Sequence, residues 1–460
     1  MSIQRNGAAS DGADTTIPRE HENSWRPLLA GSRGELALAG VQEIVAALPD
    51  PSAIPISNAS LADGSAGLAV LSTYLALSEL DDGENAERFL AHAVEAVASR
   101  PMDASFYGGF TGVAWATAHI RKQFGEADVD DPTEAIDRFL RDYLDRSTCR
   151  DGYDLISGLV GLGVYAIERL PHATGEELLE RVIGRLAETA ERSSQGITWF
   201  TPPESLPRWQ RVSCPNGYYN LGLAHGVPGV IAFLGQACAS GVVSGTAESL
   251  LDGAVAWLLS QKSMRAHSTF SNWIAPGLER EDCRLAWCYG DLGVAAALLL
   301  AARSVTQSTW EHEAMEIARR AADRAPDQSG VMDAGLCHGA AGLAHVFNRM
   351  FQASGESWLG DAAEFWFGQT LDMRRPGEGV AGYSAQTMDE DGIKRWASEP
   401  GILTGAAGTA LALLAAVSPV EPKWDQMFLV SIPTAGATER PARIEHAHAV
   451  EANDPPLRRS

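Results

Sequence analysis

The stretch WCYGDLGVAAALLLAA, residues 287–302, decides the fold. It sets a cysteine beside a turn built on Gly290 and Gly293, then runs into an apolar segment with no polar face. A helix that is apolar all round belongs in an interior. The same Gly-x-x-Gly, followed by the same kind of run, returns at Gly64/Gly67, Gly109/Gly112, Gly158/Gly161, Gly226/Gly229, Gly339/Gly342 and Gly405/Gly408. One such turn is common by chance. Seven of them, with first glycines 45 to 68 residues apart, are a repeat with room for two helices per unit. The first glycine suits a backbone turn that other residues disfavour, and the second lets a helix start pack closely.

Between the apolar runs lie segments such as GEELLERVIGRLAETAERS (residues 175–193) and EHEAMEIARRAADRA (residues 311–325), charged on one face only. Those are outer helices over an apolar inner layer. The expected architecture is all-α, an (α/α)7 toroid of seven inner and seven outer helices with the glycine turns gathered at one end. An open solenoid uses the same hairpins but spreads the turns along a line. The toroid is expected over residues 25–433. Residues 196–219, rich in Pro, Gly and aromatics, read as a strand-containing insertion. Residues 1–24 and 434–460 are polar and poor in aromatics, and disorder is expected there.

Bulk composition excludes several classes. The 460 residues carry a formal charge of −23 and no Lys/Arg run, which speaks against nonspecific nucleic-acid binding. No stretch approaches a membrane span, and the N-terminus has no apolar signal core. Six cysteines in so long a chain do not make a disulfide framework, so a cytoplasmic protein with reduced thiols is expected.

The chemistry concentrates at four of the turns. Cys288 in WCYG and the pair Cys337–His338 in LCHG sit just before the first glycine of adjacent repeats. Two thiolates and an imidazole fill three positions of a tetrahedral zinc site and leave the fourth open. A buried cysteine at a helix start is the bland alternative for Cys288 taken alone. His225 in AHGVPG shares its repeat position with Tyr289 and His338, and its imidazole titrates near neutrality, which suits a proton donor or acceptor. Asp154, four residues before Gly158, is either a first-turn carboxylate or the group that orients a histidine. Arg284, four before Cys288, shares a face with it if that segment is helical, and is otherwise a solvated arginine. Tyr289 either donates to a developing oxyanion or packs. His345 is expected to be packed, and His446 and His448 solvated. Cys149, Cys214 and Cys238 have no counterpart in the repeat, and Cys283 is near the site but out of phase.

With these motifs in hand the chain resembles the lanthionine synthetase C-like family over roughly residues 25–430. The resemblance rests on the seven glycine turns, on WCYG with CHG, and on the AHG and YD motifs. It implies a double-layered toroid with Zn2+ held by Cys288, Cys337 and His338. His225, Asp154, Arg284 and Tyr289 match the family's acid/base and auxiliary residues. The implied reaction adds peptide Cys thiols to dehydroalanine or dehydrobutyrine, closing thioether rings in a lantibiotic precursor. The short polar N-terminus suggests a stand-alone cyclase whose dehydrated precursor peptide comes from a separate dehydratase, with an exporter as a further partner. A thiol- or peptide-binding toroid without cyclase activity is the alternative. A toroidal glycosidase fits poorly, because only Asp154 is well placed and Asp63 and Asp291 are weak seconds. A zinc prenyltransferase would more often use a carboxylate ligand.

Overall fold

The computed structural model describes residues 25–125, 131–146, 152–242, 245–263, 267–389 and 391–434. Cys149, His446, His448 and the ends of the chain for which the sequence predicts disorder, residues 1–24 and 435–460, lie outside them.

Each of the seven turns opens an inner helix: Ser65–Leu77, Phe110–Gln123, Leu159–Glu168, Val227–Ala239, Asp291–Val305, Ala340–Ser354 and Ala406–Val417. Each packs on the next, and the last packs on the first, so the ring closes. Seven outer helices surround it: Gly31–Ala47, Glu84–Ser99, Glu134–Leu144, Ala173–Thr189, Gly245–Ser260, Ser308–Ala322 and Ser357–Asp372. Gly31–Ala47 packs on the last inner helix, joining the two ends of the described chain. The layers differ as their sequences require. Asp291–Val305 buries all but two of its residues, whereas Glu84–Ser99 buries Ala86, Phe89, Ala93 and Ala96, a single stripe. The open solenoid is excluded.

A belt of backbone hydrogen bonds ties the turns together. The N–H two residues before the first glycine donates to the carbonyl of its counterpart in the next turn: Ala62 to Tyr107, Tyr107 to Ile156, Ala224 to Cys288, Cys288 to Cys337, Cys337 to Leu403 and Leu403 back to Ala62, at 2.8–3.3 Å. The register slips by one residue at a single step, where Leu155 donates to Ala224 (3.1 Å). Residues at one repeat position are thereby set side by side around the mouth.

The glycines serve this belt chiefly by being small. A Cβ at any of the second glycines would overlap the carbonyl oxygen of the residue six positions earlier, as at Gly342 against Leu336 and Gly293 against Trp287. The first glycines mostly have extended backbone open to any residue, with φ between −99° and −133°, and are confined by close approach of the preceding loop. Only Gly290, at φ 99°, needs the conformational freedom that the sequence assigns to all seven.

The centre of the ring is filled by a segment without a repeat signal. Residues of the 3-10 helix Lys423–Phe428 are buried between Tyr107 of the second turn and Trp287 of the fifth. Tyr107 Oη donates to the Met427 carbonyl (2.9 Å) and Trp287 Nε1 to that of Phe428 (2.8 Å). Small antiparallel pairs decorate the mouth. Glu191–Ser193 pairs with Gly196–Thr198, and Tyr219–Asn220 with Trp273–Ile274, so the expected insertion does carry strands. The hairpin Ala385–Met388/Lys394–Ala397 carries no repeat signal.

Candidate metal centre and active site

The belt determines which side chains meet. Cys288 and Cys337 are consecutive members of it, and His338 follows Cys337 on the same turn. One donor atom from each of Cys288, Cys337 and His338 lies within 4.8 Å of the other two, the spacing a tetrahedral ion requires of its ligands. His338 Nε2 is occupied by the carbonyl oxygen of Gln386 at 3.3 Å, while its Nδ1 is buried with no hydrogen-bond partner. An orphaned imidazole nitrogen beside two thiols is a costly arrangement unless a cation completes it. The soft S2N donor set fits zinc.

The Cys337 thiol hydrogen-bonds Cys288 and lowers its pKa well below the ordinary range against burial, with help from His338 and the Arg284 guanidinium. Cys337, as the donor, is pushed up correspondingly. Arg284 Nη2 lies 3.9 Å from Cys288 Sγ. The segment around Arg284 is not helical, so the contact comes from the loop entering the turn and not from a shared helical face. Cys283 is buried away from the cluster, and burial pushes its thiol up to about 11.

At Tyr289, the residue after Cys288, opens a cavity of about 680 Å³ whose lining also includes Asp154, His225, Phe200, Trp209 and Met388 but none of Cys288, Cys337 and His338. His225 Nδ1 and Asp154 Oδ2 are 2.7 Å apart, and the backbone N–H of Ser157 donates to Asp154 Oδ1 (2.9 Å). Burial alone would lower the His225 pKa, but the Asp154 hydrogen bond and charge carry it above the usual histidine value. Burial would raise the Asp154 carboxyl, and His225 holds it below its usual range instead. With Nδ1 so occupied and the side chain 41% exposed, Nε2 is the nitrogen left for chemistry in the cavity. The Tyr289 ring lies 6.0 Å from that of His225, its oxygen accepts from Asn220 Nδ2 (2.9 Å), and burial raises its pKa so that it keeps its proton. Asp154, His225, Tyr289 and His338 thus come from four consecutive turns.

Comparison with known proteins follows the same lines. A family model described as lanthionine synthetase C-like protein matches residues 55–429. The chain belongs to that family. It is 23% identical over 297 residues to the nisin biosynthesis protein NisC of Lactococcus lactis subsp. lactis, covering 59% of this chain and 70% of the relative. Among solved structures it matches nisin cyclase with a TM-score of 0.69 and 20% identity, over 85% of this chain and 97% of that one. At this identity the structural likeness establishes the fold, an α/α toroid; it leaves open which residues act.

Sequence reasoning did not single out Asp333, Gln386, Trp209 or the segment after Lys423. Asp333 carries one usable signal: it stands six residues before its glycine, where Asp103 and Asn220 stand in their repeats. Among the described residues no helix is long and apolar enough to cross a membrane.

Proposed function

We propose that this protein is a zinc-dependent lanthionine cyclase, closing thioether rings in a dehydrated precursor peptide by intramolecular Michael addition. The observation that carries the reading is the Cys288, Cys337 and His338 cluster, with its orphaned imidazole nitrogen, on turns adjoining the His225–Asp154 pair. Zinc, when bound, would acidify a substrate thiol, whose ordinary pKa is about 8.5, so that it reacts as thiolate near neutral pH.

The chain's own residues supply the rest. Cys288, Cys337 and His338 hold the ion, and the Arg284 guanidinium offsets the negative charge gathered on sulfur. In the addition the S–H bond and the Cα=Cβ π bond break, an S–Cβ bond forms, the thiol proton leaves to solvent, from which the general acid regains its own, and a proton reaches Cα. Mass is unchanged. His225, whose cationic form Asp154 stabilises, is suited to deliver that proton from Nε2. Tyr289 retains its phenolic hydrogen and is suited to hydrogen-bond the enolate oxygen that develops before protonation.

The free thiols support a reducing, cytoplasmic setting, since Cys288 and Cys337 are close enough to be at risk of oxidation elsewhere. A separate dehydratase and an exporter are the partners this reading calls for.

Cys337→Ala is the direct test. The variant is expected to keep its helical circular dichroism, lose bound zinc, and leave the thiols of a dehydrated Ser/Thr/Cys-rich peptide free. Ring formation by zinc-free Cys337→Ala would refute the mechanism. Peptide capture by wild type with no thiol loss at unchanged mass would favour a binding protein.

A further inference from the structure

Asp333 is 3% exposed and its two oxygens do different work. Oδ1 accepts the Gly335 N–H at 3.2 Å, which caps the loop entering the sixth turn. That capping belongs to the repeat. Asp103 accepts from the Ser105 N–H (2.9 Å), Asn220 from Gly222 (2.8 Å) and Glu399 from Gly401 (3.2 Å), each six residues before its first glycine. The second oxygen of Asp333 has no such explanation. Oδ2 accepts the Gln386 N–H at 2.8 Å and lies 3.7 Å from His338 Nε2. Gln386, fixed in this way, presents its own carbonyl oxygen to that same Nε2 at 3.3 Å. Gln386 lies in the strand Ala385–Met388, whose hairpin is also anchored at its tip, where Gly392 packs on Trp209 and Asp391 pairs with Arg208 at 3.2 Å.

We propose that Asp333 and the Gln386 carbonyl are positioning groups for the metal centre, holding His338 with its hydrogen on Nε2 and its Nδ1 lone pair turned to Cys288 and Cys337. This rests on the zinc reading above. A neutral imidazole has one N–H, so the Gln386 carbonyl at Nε2, with the Asp333 carboxylate just beyond hydrogen-bond reach, favours the tautomer whose Nδ1 is free to bind. The nearby carboxylate also makes the imidazole a stronger donor to the ion. The hairpin is therefore part of the metal site although it contributes no ligand.

The test is metal affinity and spectroscopy on Asp333→Asn. Asparagine caps the equivalent turn at position 220, so the variant should keep its turn. It should lose about 10–100-fold in zinc affinity by chelator competition and shift the absorption bands of the cobalt-loaded protein. Glu399→Gln, altered at the same repeat position, should match wild type in both. Unchanged affinity and cobalt spectrum in Asp333→Asn would overturn the inference while leaving the zinc reading intact. Wild type that binds no zinc would overturn both. Long-range ¹⁵N spectra of the zinc-loaded wild type provide a check independent of any variant. They should show His338 protonated at Nε2 and metallated at Nδ1, and the reverse assignment would defeat the proposal.

Discussion

Two histidine–aspartate pairs in this molecule have nearly the same geometry and opposite character. At the mouth, His225 Nδ1 and Asp154 Oδ2 are 2.7 Å apart; in the interior, His345 Nε2 and Asp425 Oδ2 are 2.9 Å apart. The first histidine has its pKa raised, the second lowered. For His345, burial dominates, and the Asp425 carboxylate is already engaged by Arg349, at 2.7 Å from Nε and 3.1 Å from Nη2. His225 is 41% exposed, and the other hydrogen bonds to its carboxylate partner come from the neutral N–H and hydroxyl of Ser157. A carboxylate beside a histidine therefore does not define its chemistry. Solvent access and the other claims on the carboxylate do.

The largest effect expected from this contrast is on rate. His225→Gln should lower ring formation by about 10²–10⁴-fold, the range for losing a general acid, with zinc content unchanged and only a small change in stability. His345→Gln should leave the rate per folded molecule close to wild type. If both variants lost activity equally, the distinction between the two pairs would collapse.

Next in size is the stability of the interior. Asp425→Ala strands Arg349 in a site where Asp425 is fully buried and only Glu421 remains as a counter-charge, at 3.1 Å. Breaking a buried pair in this way costs about 3–5 kcal/mol, to be read from urea unfolding. Asp154→Ala, beside an exposed imidazole, should cost much less. Its effect belongs in catalysis: Asp154→Asn removes the interaction that holds the His225 pKa up, so the imidazole should titrate at lower pH by NMR, with a smaller rate loss than His225→Gln.

The contrast also marks what was legible in the sequence. The seven turns could be read because each repeats a local rule: close approach at two glycines, then an apolar run. Cys288, Cys337, His338 and His225 were legible because the repeat assigns them equivalent positions. The central segment was not. Trp424, Asp425 and Phe428 answer to no period, and their partners lie far away in sequence, as with Tyr107 and Met427. Asp425 looks like any acidic residue in a tail until Arg349 and His345 are seen to converge on it. Gln386 was hidden for another reason, since it acts through backbone atoms that its side chain does not announce. Arg284 lies 3.9 Å from Cys288, but the loop, not a helix, carries it there.

The smallest expected effect is the most discriminating. A histidine whose folded pKa is raised adds stability below its unfolded value of about 6.5 and loses that contribution as pH rises through the folded value. His225 is of this kind. A histidine whose folded pKa is lowered is neutral in the folded state where the unfolded chain would bind a proton, so it subtracts stability as pH falls below about 6.5. His345 is of this kind. The two act on opposite sides of that value, His345 below about 6.5 and His225 above it, each by less than about 1.4 kcal/mol per pH unit, and His225 by less still because solvent screens it. His225→Gln should therefore remove a loss of stability with rising pH above about 6.5, and His345→Gln should remove a gain with rising pH below it. Urea midpoints measured at half-unit steps of pH read the two slopes directly. Parallel slopes in the two variants would mean that burial and Arg349 do not set the interior histidine apart from the one at the mouth.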